Sequence, residues 1–286
     1  MNAMSNFMIR TISGALFVVV TCLMVLFNDY TCAVYMGFCC VIMLYEFMKM
    51  FNMSRKRTLF IETIGTFALL TAFWYSRGII MTVIPLLVMM LALFIIQLFE
   101  HDNKQEELLG KSFLALIYIA LPLSIATYIG TFNNQIIMAT FVLIWTSDTM
   151  AYLVGCKFGK HKIFERISPK KSWEGAIGGF VFTIAVAALG GYLFPILAAK
   201  INSLLGFDIG YRLDFEIWQW CIFGAIVGIF GILGDFIESM FKRSAGVKDA
   251  GNLIPGHGGL LDRLDSFIFT IPWIAIAVWI MTAAGN

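Results

Sequence analysis

Acidic, basic and glycine residues crowd into positions 239–265, which read S-M-F-K-R-S-A-G-V-K-D-A-G-N-L-I-P-G-H-G-G-L-L-D-R-L-D and lie between two apolar runs. The helix expected before this stretch ends in Gly234-Asp235-Phe236-Ile237-Glu238. If that helix continues, Asp235, Glu238, Ser239 and Lys242 fall at i, i+3, i+4 and i+7 and share one face. An Asp and a Glu beside a hydroxyl offer hard oxygen ligands of the kind Mg²⁺ takes. Asp262 and Asp265 are also three apart, with Arg263 between them and Ser266 next, where the following apolar run begins. Two helix ends, each bearing a pair of acids, would close on a metal held by Asp235, Asp262, Glu238 and Asp265. Lys242, Arg243, Lys248 and Arg263 would meet the phosphates that the metal bridges, with Ser239 and Asp249 beside them in the substrate site. In the turn Pro255-Gly256-His257-Gly258-Gly259 the glycines let backbone N–H groups approach a phosphate, which makes Gly258 and Gly259 binding positions. A lone histidine is more often structural than catalytic, so His257 is read as a phosphate contact rather than a general base. Together these residue types suggest the handling of phosphates at a membrane surface.

A second group lies upstream. In Trp145-Thr146-Ser147-Asp148-Thr149-Met150-Ala151-Tyr152, Asp148 falls inside an apolar run. A charged residue there costs about 2.5–3.5 kcal/mol on insertion scales, so Asp148 must face a polar cavity or a partner. It is either a packing residue bonded to a neighbouring hydroxyl, or a cavity-lining acid that binds substrate or orders a metal's water shell. Next comes Ser168-Pro169-Lys170-Lys171-Ser172-Trp173-Glu174-Gly175. Pro169 stops any helix through this point, and Ser172 suits a helix start whose free N–H groups favour an anion. Lys170 and Lys171 would flank that phosphate-binding end. A basic loop touching acidic lipid headgroups, with Trp173 as an interface anchor, fits the same segment equally well.

These residues must be positioned by membrane helices. Of the 286 residues only 13% are charged and 60% are hydrophobic, with a mean hydropathy of +0.85. A soluble domain carries about 25% charged residues, so composition excludes an ordinary soluble fold. The six cysteines mostly sit in apolar runs, at spacings that suggest neither a disulfide framework nor a zinc site. The first apolar run follows Arg10 and lacks a convincing small-x-small cleavage site, so a retained helix is expected rather than a signal peptide. Nine runs approach the roughly 20 residues needed to cross about 30 Å of hydrocarbon. They fall near 8–27, 31–50, 59–76, 79–99, 112–131, 135–155, 175–198, 215–236 and 266–283, with a tight Ser76-Arg77-Gly78 turn between the third and fourth. The fold class is therefore an all-α polytopic integral membrane protein of about nine transmembrane helices. It forms one domain over 1–286, in which the helices of 1–131 have no assigned role and 135–283 carries the catalytic helices and loops. With the N-terminus in the cytoplasm and the C-terminus outside, all Lys and Arg except Arg77, Lys200 and Arg212 fall on the cytoplasmic side. The inner loop near 101–111 is mixed in charge and reads as a solvated connector. Those at 157–174 and 239–265 are basic, bear glycine and lie close to intramembrane acids. Gly224, Gly228, Gly231 and Gly234 at three- and four-residue spacing are a signal for close helix packing.

At this point the chain resembles a known family. The run S-M-F-K-R-x4-K-D-x-G-x2-I-P-x-H-G-G-L-x-D-R-L-D is similar to the signature of the phosphatidate cytidylyltransferases, also called CDP-diglyceride synthases, without departure over 239–265. The D-T-x-A-Y-x2-G motif at Asp148 to Gly155, S-P-K-K-S-W-E-G at Ser168 to Gly175 and G-D-x2-E-S at Gly234 to Ser239 support it. The resemblance covers about 145–270, while the N-terminal helices match only in being hydrophobic. It implies transfer of CMP from CTP to phosphatidic acid, giving CDP-diacylglycerol and pyrophosphate. It also implies that Asp235 and Asp262 hold the metal centre, with Mg²⁺ alone or accompanied by a second cation. A homodimer in a bacterial inner (plasma) membrane, with its site facing the cytoplasm and no nucleic-acid partner, is the accompanying expectation.

In such a reaction a phosphate oxygen attacks the α-phosphorus of CTP and pyrophosphate leaves. The nucleophile is already an anion, so the need is for charge neutralisation and in-line placement, which metal and Lys/Arg provide. Two rival readings remain. A CTP-dependent polyprenol or phytol kinase would move the γ-phosphate and release CDP. A transporter would use intramembrane acids as an ion path, but transporters place these near the midplane in repeated halves, and here they gather at one face without a repeat. The CDP-alcohol phosphotransferases fit less well, because their D-G-x2-A-R core is absent.

Overall fold

The computed structural model describes residues 3–74, 84, 87–88, 91, 93–95, 105–205, 213 and 215–283. Regular structure among them is helical, in the order α1 (Ala3–Phe27), α2 (Asp29–Met50), α3 (Arg55–Trp74), α4 (Gln105–Ala115), a π turn (Leu116–Ala120), α5 (Leu121–Phe132), α6 (Asn134–Phe158), α7 (Trp173–Leu205), α8 (Ile217–Ser244) and α9 (Leu261–Ala283). The chain is an all-α polytopic membrane protein. Seven described helices are long and apolar enough to cross a bilayer, with α4, the π turn and α5 forming one of them. The third expected run is present as α3, which is not among the seven; it opens on Arg55-Lys56-Arg57 and contains Glu62. Most of the fourth run, 79–99, and the turn at Ser76-Arg77-Gly78 lie outside the described residues.

One expected loop is helical in part. Positions 105–111 belong to α4 rather than to a solvated connector. Glu106 and Glu107 in the first turn favour a helix N-terminus, and Glu107 pairs with Lys111 at 2.6 Å across one turn. Elsewhere the starts follow local chemistry. Asn133 caps α6 by accepting from the Gln135 amide at 2.9 Å, and Ser172 caps α7 by accepting from the Gly175 amide at 3.2 Å.

The helices that carry the site are packed on small residues. A side chain at Gly234 of α8 would collide with the Asp265 carbonyl and with Phe269 of α9, and one at Gly224 would collide with α7. The glycine spacing of α8 therefore brings α7 to one side and α9 to the other, as its sequence predicts. Gly175 likewise lets α7 run against Ala151 and Gly155 of α6. Beneath the site, Phe47 of α2, Tyr118 of the π turn and Phe241 of α8 form a three-ring cluster with centroids 5.2–6.3 Å apart. Phe141 of α6 stacks on Phe267 of α9 at 4.2 Å. All six cysteines are free thiols, three of them fully buried.

Candidate active site

The C-terminal end of α8 and the N-terminal end of α9 meet as the spacing suggests. Because α8 continues to Ser244, Asp235, Glu238, Ser239 and Lys242 lie along one of its faces. Lys242 bridges Glu238 at 2.5 Å and Asp262 at 2.6 Å. The other Asp262 oxygen accepts from the backbone amides of Gly259 at 2.8 Å and Ala250 at 2.9 Å. Asp262 is thus held as an anion by one ammonium and two amides. Gly258 sits at φ +86, in the left-handed region that favours glycine, and a side chain there would strike Asp262. Ser239 donates to Asp235 at 3.2 Å, and the Ser266 amide donates to Asp265 at 2.7 Å.

The α6–α7 connection supplies the second wall. Glu174 ties this loop to the start of α7: its carboxylate accepts from the Lys160 amide at 3.0 Å and the His161 amide at 3.2 Å, and contacts the His161 ring at 2.6 Å. Lys171 then reaches across to form an ion pair with Asp235. Its ammonium also lies 4.7 Å from the Phe236 ring centroid.

Three cavities result. An acidic cavity of about 360 Å³ is walled by Asp148, Asp235, Asp249, Asp262 and Asp265, with Lys242 and Arg263 as its cations. It opens on one side into a basic cavity of about 620 Å³ lined by Arg10, Lys248, His257, Gly258 and Arg263, the two sharing Asp249, Ile254, His257 and Arg263. On the other side it shares Asp148 and Asp235 with a lysine cavity of about 460 Å³ that holds Lys162, Lys170, Lys171 and Ser172. Five carboxyl groups line the middle cavity beside Lys242 and Arg263, and hard oxygen donors of this kind suit Mg²⁺. Among the described residues no three His, Cys, Asp or Glu side chains converge on one point. The donor set fits a cation that keeps waters and substrate oxygens in its shell, which is the habit of Mg²⁺.

The expected site residues divide accordingly. Asp235, Asp262 and Asp265 face the acidic cavity, whereas Glu238 is 1% exposed and turns to Lys242, outside that lining. Arg243 lines none of the three cavities. Its guanidinium donates to the carbonyls of Ile167 at 3.4 Å and Val247 at 3.3 Å, so it joins the two loops. Ser172 and Gly259 contribute through the cap and the amide already described. Asp148 lines both the acidic and the lysine cavity.

Three residues of the first two helices also bear on the site, one as lining and two by holding the segments that line it. Glu46 of α2, 4% exposed, accepts from the Leu260 amide at 3.1 Å and the Leu261 amide at 2.8 Å, and so holds the N-terminus of α9. Ser13 of α1 lies 2.9 Å from His257 Nδ1 and donates to the Pro255 carbonyl at 3.0 Å. Arg10 lines the basic cavity. Burial, followed by the charges of Arg263 and Arg10, pushes the His257 imidazole below its ordinary value, so it is neutral at neutral pH. A carboxylate inside the apolar run 31–50 is the signal that points to Glu46, by the same cost that flags Asp148. Nothing in local spacing points to Ser13.

The cytidylyltransferase family model matches residues 8–281, almost the whole chain. The chain belongs to this family. Among similar proteins are the phosphatidate cytidylyltransferases of Staphylococcus aureus strain COL, 42% identical over 142 residues, and of Haemophilus influenzae, 39% identical over 140 residues. These matches cover 49% of this chain and 47% and 44% of the relatives, so the chain spans about half the length of the curated relatives it matches. Membership over 8–281 brings α1 and α2 within the family's span. Arg10, Ser13 and Glu46 thus lie within the region matched by the family model.

Proposed function

We propose that this protein transfers CMP from CTP to phosphatidic acid, forming CDP-diacylglycerol and pyrophosphate. The observation that carries this reading is an acidic cavity flanked by two cationic ones that share its walls. Arg10, Lys248 and Arg263 bind the β- and γ-phosphates of CTP in the basic cavity, helped by backbone N–H groups of the 255–259 turn. Lys170 and Lys171 bind the phosphate of phosphatidic acid in the lysine cavity, with Lys171 exchanging Asp235 for the incoming anion. The nucleophilic oxygen and the α-phosphorus then meet beside Asp148, Asp235 and Asp262. The new bond joins lipid phosphate oxygen to the α-phosphorus; the bond from the α-phosphorus to the bridging oxygen breaks, and pyrophosphate carries away that electron pair. Lys242 and Arg263 offset the negative charge that two polyanions bring together. Asp235 and Asp262 would hold Mg²⁺, with Asp265 in the same cavity wall; when bound, the ion would neutralise phosphate charge at the reacting centre.

The site faces the cytoplasm of a bacterial inner membrane in this proposal. Support comes from the one-sided distribution of Lys and Arg and from the cytosolic location of CTP. The family resemblance extends the proposal to a homodimer, to be checked by mass measurement in detergent. Turnover with α-labelled and γ-labelled CTP tests the reaction: α-label should enter lipid and γ-label should leave as pyrophosphate. Entry of γ-label into lipid would establish the kinase reading instead. Asp262→Asn should abolish product while folded protein still reaches the membrane, and near-normal turnover by that variant would refute the assignment.

A further inference from the structure

Next to the lysine cavity an apolar groove of about 300 Å³ runs between α7 and α8. Phe164, Trp173, Ile177, Ile229, Leu233 and Phe236 wall it. Ile163, Ala176 and Ile232 belong to both the groove and the lysine cavity, so the polar and apolar spaces are continuous. The change of character is abrupt. Lys171 stands over the Phe236 ring at 4.7 Å with its ammonium toward Asp235, and Phe164 packs edge-on against Phe236 at 5.1 Å. At the other end α7 and α8 close together where Phe180 rests on Gly228. From Phe236 to Gly228 the groove follows eight residues of α8, about 12 Å of helix.

We infer that this groove seats the first part of one acyl chain of the lipid substrate, while Lys170 and Lys171 hold its phosphate. The inference rests on the proposed reaction and adds where the hydrocarbon goes. A cationic mouth leading into an uncharged slot matches a phosphate joined to an alkyl chain. A packing helix is about 10 Å across, too wide for a space of this volume. Ile229, on the deep half of the slot, then governs how much chain can enter, while Leu233 lies closer to the mouth.

The test uses the full chain in lipid nanodiscs with dioleoyl and dihexanoyl phosphatidic acid. Ile229→Trp is expected to lower kcat/KM for the dioleoyl substrate at least about 10-fold. Its rate with the dihexanoyl substrate and its KM for CTP should stay within about twofold of the parent. Leu189→Trp, on a lipid-facing part of α7 away from the groove, should change neither ratio. Equal losses on both lipids, or no loss, would overturn the inference. A second readout separates it from the proposed reaction: phosphatidic acid with an acyl diazirine should label peptides around 173–180 and 228–236, and unlabelled phosphatidic acid should compete. If such labelling occurs without any CDP-diacylglycerol, the groove stands and the reaction reading falls. If turnover occurs and labelling lies elsewhere, the groove is refuted and the reaction stands.

Discussion

Lys171 and Lys248 carry the same charge and stand on opposite sides of the acidic cavity. In the proposed reaction they serve different substrates, which makes their substitutions separable. Lys171→Met should raise KM for phosphatidic acid by about 10-fold or more and leave KM for CTP nearly unchanged. Lys248→Met should do the reverse, and steady-state kinetics with each substrate varied in turn checks both. Identical effects on the two KM values would contradict the division between cavities. Side chains whose placement follows from neighbours in the chain were legible in the sequence: Asp235, Glu238, Ser239 and Lys242 share a helical face because the helix continues. Partners brought from afar were not. Spacing assigned Arg243 to phosphate, whereas its guanidinium donates to the Ile167 carbonyl 76 positions away; Glu238, assigned to a metal, pairs with Lys242 one turn along the same helix.

At the scale of the elements, α9 begins against a carboxylate supplied by α2. Glu46 accepts from two consecutive amides at a helix start, where free N–H groups and the helix dipole both favour an anion. Gly251 and Gly259 leave room for it, since a side chain at either would strike the carboxylate. Glu46→Ala leaves those amides buried without a partner, at a cost of about 1–3 kcal/mol. A lowered thermal midpoint and faster amide exchange at Leu260 and Leu261 should follow. Glu46→Gln keeps one acceptor and should lose less. The helices themselves were largely readable from apolar runs, and the small-residue pattern of α8 announced its close neighbours. Helix ends were harder to read: 105–111 has the polar composition of a loop, and only the Glu107–Lys111 pair with the acidic first turn explains its helical form.

Across the whole molecule, the charged residues of α1, α2, α6, α7, α8 and α9 that build the site gather at one end of the bundle. The same clustering appears in the charge pattern of the sequence, where it supports the proposed cytoplasmic placement of the site. The cavities between helices were not legible there, because their walls come from residues more than 200 positions apart, as with Arg10 and Arg263. The cluster of carboxyl groups in the middle cavity predicts metal dependence for the molecule as isolated. Chelation with EDTA should abolish CDP-diacylglycerol formation, and Mg²⁺ should restore it. Full activity in the presence of excess chelator would refute a role for the cation.

The contact between Glu46 and α9 has a bearing on biosynthesis. Its partner amides lie 214 and 215 residues downstream, so α2 is synthesised long before its acceptor role can be filled. A nascent chain therefore carries an unmatched acid, and the reaction chamber is completed only when α9 docks. Truncation before Leu260 should leave Glu46 open to a carboxyl-reactive carbodiimide, whereas the full-length protein should protect it. Catalytic competence would then wait for the docking of α9, which guards the growing chain from acting on nucleotide or lipid before that helix is in place.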